Sequence, residues 1–177
     1  MEQNLQPITS GTSHCAVDMR AGAFWMRNIA NHPSPIESSR ILIIDDSPVE
    51  LFRMEALLRR HHFEALCCND PSKALQILLT EHIDIVLCDW QMPKITGLAL
   101  CQTISQSPAM GAPYFIMLTG RKDRADMIAA MDAGADDFIC KPAASEELRA
   151  RIQAGLRRLD KERSMMMRQQ PLLLCGE

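Results

Sequence analysis

The chain holds 177 residues, enough for one ordinary domain with length left for tails. A domain of that size buries roughly two-thirds of its unfolded surface, so it needs neither disulfides nor a structural metal to fold. A net charge of -3 gives no reason to expect direct nucleic-acid binding, no run of about 18 apolar residues is present to span a membrane, and the N-terminus lacks the basic start and apolar stretch of a secretory signal, which together predict a cytoplasmic protein.

Residues 1–39 read as an N-terminal extension. Polar and small residues dominate as far as Ser13, and Asn31-His32-Pro33-Ser34-Pro35 has the composition of a linker. Between them Val17, Met19, Phe24, Trp25, Met26 and Ile29 fit one side of a short helix. The segment is expected to be a largely disordered leader, with a docking or core-capping helix as the alternative.

From Arg40 strands and helices alternate. Ile41-Leu42-Ile43-Ile44 is apolar throughout, as in a strand covered by helices on both sheet faces. Ser47-Pro48-Val49-Glu50 supplies an N-cap, a proline at the first helical position and a capping-box glutamate. The helix it opens should reach about His61, with Val49, Phe52, Ala56 and Leu57 inward. Phe63 to Cys67 is the second predicted strand, and Asp70-Pro71 caps a helix buried through Ala74, Leu75, Leu78 and Leu79. Ile83 to Cys88 is the third strand, and Thr96-Gly97 starts a helix carrying Leu98, Leu100 and Ile104. Pro113 to Leu118 is the fourth strand, followed by a helix from about Lys122 that stops at Gly134, a favourable residue just past a helix end. Asp137 to Cys140 is the fifth strand, and the fifth helix begins near Ser145.

Repeated strand–helix units predict an α/β fold: a flavodoxin-like, doubly wound, five-stranded parallel sheet in the order 2-1-3-4-5, with five helices. Ligands of such sheets bind outside the carboxyl ends of the strands, at the switch point between the first and third. Asp45-Asp46, Asp89, Thr119 and Lys141 each follow or close one of these apolar runs. Three carboxylates, a hydroxyl and an ammonium should therefore meet at one edge.

Two unit charges about 4 Å apart repel by roughly 4 kcal/mol at an effective dielectric of about 20. Clustered carboxylates therefore call for a cation or a retained proton. Mg²⁺ prefers oxygen ligands, keeps several waters, and often takes one or two carboxylates plus a phosphate. Asp89, at the end of the central strand, is the candidate nucleophile, because carboxylates form acyl phosphates. Lys141 would pair with one phosphoryl oxygen and Thr119 would donate to another. Backbone N–H groups near Gln91 and Gly120 could assist, and Gly120 leaves room beside Thr119. Singly, each has an ordinary reading as a cap, loop or surface residue; only the joint pattern points to a site. The seven cysteines fit neither a disulfide framework nor a zinc site, and Cys67, Cys68, Cys88 and Cys140 read as small buried hydrophobes of a reducing compartment.

Four segments then resemble the receiver domain of two-component response regulators: Ile43-Ile44-Asp45-Asp46-Ser47, Leu87-Cys88-Asp89-Trp90-Gln91-Met92-Pro93, Leu118-Thr119-Gly120, and Ala133-Gly134-Ala135-Asp136-Asp137-Phe138 running into Lys141-Pro142. The resemblance places a receiver at residues 40–160 and a tail or linker helix at 161–177. It implies that Asp89 accepts a phosphoryl group from a sensor histidine kinase or a histidine phosphotransfer protein. It also implies that Asp45, Asp46, Asp89 and the Gln91 carbonyl bind Mg²⁺, and that the bond before Pro142 is cis. Phosphorylation would draw in the Thr119 hydroxyl and let Phe138 turn inward, changing the surface of the fourth helix, fifth strand and fifth helix toward a downstream effector of unknown identity. Phe138 as a fixed core aromatic is the alternative. Thr96 stands where the family often has an acidic or amide cap. Gln91 and Arg121 stand where the family tunes phosphate lifetime.

The fifth helix should continue through Arg149, Arg151, Ile152, Leu156, Arg157 and Arg158 into Lys161-Glu162-Arg163. Its exposed side reads as basic and solvated, with a dimerising signalling helix, and hence a homodimer, as the alternative. The chain is expected to be a signalling module, not a turnover enzyme. A constitutive pseudo-receiver scaffold remains open. An aspartyl phosphohydrolase fits less well, since its nucleophile ends the first strand with a second aspartate two residues on, where this chain has Ser47.

Overall fold

The structure, a computed structural model, describes residues 39–120 and 124–169. The expectations for residues 1–38, for the helix start at Lys122, for Arg121 and for the end of the tail lie outside the described residues.

Five parallel strands pair in the order β2-β1-β3-β4-β5: β1 Arg40–Ile44, β2 Glu64–Cys68, β3 Ile85–Asp89, β4 Tyr114–Thr119 and β5 Asp137–Cys140. The helices are α1 Pro48–Arg60, α2 Pro71–Thr80, α3 Gly97–Ser105, α4 Arg124–Asp132 and α5 Ser145–Gln169, with a 3-10 turn at Pro108–Met110. β3 and β4 are buried at every position, which is why their sequences show no polar alternation. Register continues to the carboxyl edge, where Asp89 lies opposite Leu118 and Thr119 opposite Cys140.

Alternate strand residues feed two cores. Ile41, Ile43, Ile85, Leu87 and Ile116 pack under α1 and α5, through Leu51, Met54, Leu58, Leu148, Ile152 and Leu156. Leu42, Ile44, Val86, Cys88 and Met117 pack under α2, α3 and α4. Local chemistry starts and stops these helices, although the Ser47 N–H donates to Asp45 Oδ1 and not to Glu50, the expected capping-box glutamate. The Ser47, Asp70 and Thr96 side chains accept from the backbone N–H groups of Glu50, Ser72 and Ala99. At the end of α4, Gly134 (φ +100°) allows the Gly134 N–H to donate to Met131 O and the Ala135 N–H to Ala130 O, a Schellman closure.

The inward face of α1 differs from expectation. Val49 and Phe52 are 73% and 74% exposed and Ala56 is exposed, whereas Leu51, Met54 and Leu58 are buried; Leu57 is partly buried as expected. Both triplets share one i, i+3, i+7 spacing and differ by two positions, about 200° around a helix. Periodicity accepts either, and the turn from β1 selects the second. Leu79 of α2 likewise faces outward. Cys67 is exposed, not buried, because β2 is an edge strand covered less completely. β2 and β3 begin one and two residues later than expected, at Glu64 and Ile85, and β4 includes Thr119. Helix α5 passes without a break through the expected boundary after residue 160.

Candidate phosphoryl-acceptor site

β1 and β3 are neighbours whose connections leave in opposite directions, so a crevice opens at their carboxyl ends. Asp45 follows β1 directly and Asp89 closes β3; they are 3% and 8% exposed. Each holds one carboxylate oxygen on its own turn. The Ser47 N–H donates to Asp45 Oδ1 at 2.9 Å, and the Gln91 N–H donates to Asp89 Oδ2 at 2.8 Å. These paired Asx turns orient the remaining oxygens toward one another. Lys141, just beyond β5, occupies the space between them: its Nζ donates to Asp45 Oδ2 at 2.6 Å and to Asp89 Oδ1 at 2.5 Å.

The facing carboxylate oxygens thus lie within about 5 Å of each other, where like charges repel by roughly 3 kcal/mol at a dielectric of about 20. The ammonium removes that repulsion. Burial works against the Lys141 charge, yet its hydrogen bonds to Asp45 and Asp89 prevail and raise its pKa above the ordinary value. Burial raises the Asp89 carboxyl above its ordinary value, with the nearby Asp45 charge adding to the rise and the Lys141 and Gln91 donors opposing it. The two directions agree physically: the lysine stays charged, and Asp89 is a less stabilised carboxylate than one in water.

Thr119 is 1% exposed at the end of β4, and the Lys141 N–H donates to Thr119 O at 2.6 Å, joining the two strand ends. The Lys141–Pro142 bond is cis, as the resemblance implied. Phe138 lies opposite Met117, two residues before Thr119 in the register, and is half-buried against the core under α2–α4. Asp46 is exposed. Among the described residues no three acidic, histidine or cysteine side chains are gathered closely enough to hold a metal unaided. The structure therefore brings Asp45, Asp89 and Lys141 together and leaves Asp46 at the rim. A buried pair of carboxylates, with exposed Asp46 next in the chain after Asp45, fits a hard cation that keeps several waters and takes a further ligand from a phosphate.

The sequence reading gave Gly97 no role beyond starting a helix. A side-chain carbon there would stand 2.1 Å from the Asp89 carbonyl oxygen and 3.1 Å from Trp90 Cα. The available signal was a glycine in the first turn of a helix that already had its cap in Thr96.

The family model described as the response regulator receiver domain matches residues 41–153. A probable transcriptional regulator, ycf27, of Porphyridium aerugineum is 36% identical over 129 residues, covering 73% of this chain and 52% of that protein. The DNA-binding response regulator MtrA of Mycolicibacterium smegmatis is 34% identical over 128 residues, covering 72% of this chain and 55% of that protein. The chain spans about half the length of these curated relatives. MtrA's name runs against the expectation, read from net charge, that no nucleic acid is contacted. Among solved structures, a response regulator receiver domain protein of Clostridium thermocellum aligns with a TM-score of 0.63 at 29% identity, over 69% of this chain and 97% of that one. A CheY-like receiver domain protein of Methanospirillum hungatei gives 0.63 at 26% identity, over 70% and 98%. Among the described residues no helix is long and apolar enough to cross a membrane.

Proposed function

This chain belongs to the response regulator receiver family, and from that membership we propose that it is a phosphorylation-controlled signalling module whose acceptor is Asp89. The observation that carries the reading is the Lys141 ammonium seated between the Asp45 and Asp89 carboxylates at the crevice of the sheet. An Asp89 oxygen attacks the phosphorus of a phosphohistidine presented by a sensor histidine kinase or a histidine phosphotransfer protein. The new O–P bond forms as the N–P bond breaks, and the bonding pair stays on the imidazole nitrogen, which takes a proton. Lys141 is placed to follow the negative charge onto a phosphoryl oxygen, and the Thr119 hydroxyl serves a second one. Mg²⁺ held by Asp45, Asp89, the rim carboxylate of Asp46 and the Gln91 carbonyl would supply charge screening during the transfer.

The product adds charge at one point of a packed sheet edge, so its effect is a bias between two arrangements of nearby side chains. Thr119 and Phe138 are the residues proposed to move, altering the surface formed by α4, β5 and α5. That surface then addresses a downstream effector in the cytoplasm, and the chemistry is one transfer per signalling event. Incubation with acetyl phosphate and Mg²⁺ followed by intact-mass measurement tests the assignment. The expected result is one phosphate adduct, absent from Asp89→Ala. No adduct on the wild-type chain would favour a constitutive scaffold, and continuous release of phosphate would favour a hydrolase.

A further inference from the structure

The space at Gly97 is set by the phosphoacceptor's own backbone. Trp90 donates its N–H to Leu118 O at 2.8 Å, which ties the end of β3 to β4, and Gln91 donates to the Asp89 side chain. On the remaining side the Gly97 N–H donates to Trp90 O at 3.0 Å, bringing the first turn of α3 against the Asp89 carbonyl. A Cβ at position 97 would lie 2.1 Å from that oxygen and 3.0 Å from its carbon, and both are backbone atoms with no rotamer to move. Gly97 does not need a left-handed backbone, since its φ is not positive. Glycine is required there for space alone.

We propose that Gly97 is a positioning residue for phosphoryl acceptance. By letting α3 sit directly on the Asp89 carbonyl, it fixes the 89–91 turn that aims the Asp89 carboxylate and the Gln91 main chain. Any side chain must displace either the helix start or the acceptor by an amount on the order of an ångström, and misplacement on that scale costs reaction rates about 10²-fold. The inference rests on Asp89 being the acceptor, as proposed above.

The test compares Gly97→Ala with Thr96→Ala, which weakens the start of the same helix by removing its cap but adds no atom against Asp89. Initial rates of phosphorylation by acetyl phosphate in Mg²⁺ are measured as a function of acetyl phosphate, alongside urea unfolding of each protein. Gly97→Ala is expected to lower the maximal rate per folded molecule roughly 10- to 100-fold with little change in half-saturation, and Thr96→Ala to change it less than about 2-fold at comparable loss of stability. Equal rates for Gly97→Ala and wild type, or equal losses in the two variants, would overturn the proposal. If Gly97→Ala does not fold in buffer, the rates are taken with trimethylamine N-oxide added; a chain still unfolded there, while Thr96→Ala folds, assigns Gly97 a purely structural role and also overturns it. A wild-type chain that accepts no phosphate would instead remove the functional reading itself.

Discussion

Lys141 and Asp84 carry charges held by hydrogen bonds, Lys141 just beyond β5 at the carboxyl ends of the strands and Asp84 just before β3 at their amino ends. Replacing Lys141 with alanine leaves Asp45 and Asp89 facing each other without a counter-ion. Removing one partner of a buried pair costs about 3–5 kcal/mol when the pair is fully enclosed; with Lys141 17% exposed, about 2 kcal/mol is expected in urea unfolding at pH 7. Asp89→Asn in the same background should return most of the loss, and a Lys141→Ala protein as stable as wild type would contradict the charge account. Asp84 gives a pH prediction. Burial disfavours its charge, but donors from His82, Arg163 and the Arg40 N–H outweigh that and bring its pKa down from 3.8 to about 2. A carboxyl depressed in the folded state stabilises above its unfolded pKa and stops doing so as pH falls through the folded one. Asp84→Asn should therefore cost about 2 kcal/mol at neutral pH, and its gap from wild type should close between pH 3.8 and about 2. A gap that stays constant over that window would show that the loss is not one of charge.

Helix α1 shows how far pattern reading reaches. Its start was legible because Ser47 and Pro48 act locally, and the apolar runs of β1, β3 and β4 were legible because strands covered on both faces carry no polar residues. The buried side of α1 was not, since two stripes with equal spacing compete and only the approach of the helix to the sheet separates them. The seat at Gly97 is also a tertiary fact: nothing near it in sequence announces that Asp89's backbone will press against it. The four strand-end positions were readable because a strand terminus is a local feature, whereas the exposure of Asp46 depends on how the chain turns after Asp45. The corrected α1 face makes a direct prediction. Phe52→Ser should change stability by no more than about 0.5 kcal/mol, while Leu58→Ala should cost about 2–5 kcal/mol. Denaturant midpoints in the reverse order would restore the face through Val49 and Phe52.

For the molecule as a whole, the crevice at the carboxyl ends of the strands and the α5 anchors elsewhere belong to a single packed sheet. Arg158 pairs with Asp136 at 2.6 Å and Arg163 with Asp84 at 2.5 Å, so α5 remains tied to the sheet four or five turns beyond its start. Binding at the crevice is then linked to unfolding of the whole domain, because the ligand groups converge only in the folded chain. A cation present at 100 times its dissociation constant stabilises by about 2.7 kcal/mol. For a domain of this size that is a rise in thermal midpoint of roughly 5–10 °C. Mg²⁺ should produce this rise and Asp45→Asn should abolish most of it. Screening alone does not suffice, because a net charge of -3 offers little self-repulsion to relieve. Sodium chloride at matched ionic strength is therefore expected to leave the midpoint nearly unchanged. Equal shifts with the two salts would mean that the carboxylates bind no cation specifically and that Lys141 alone meets their charge.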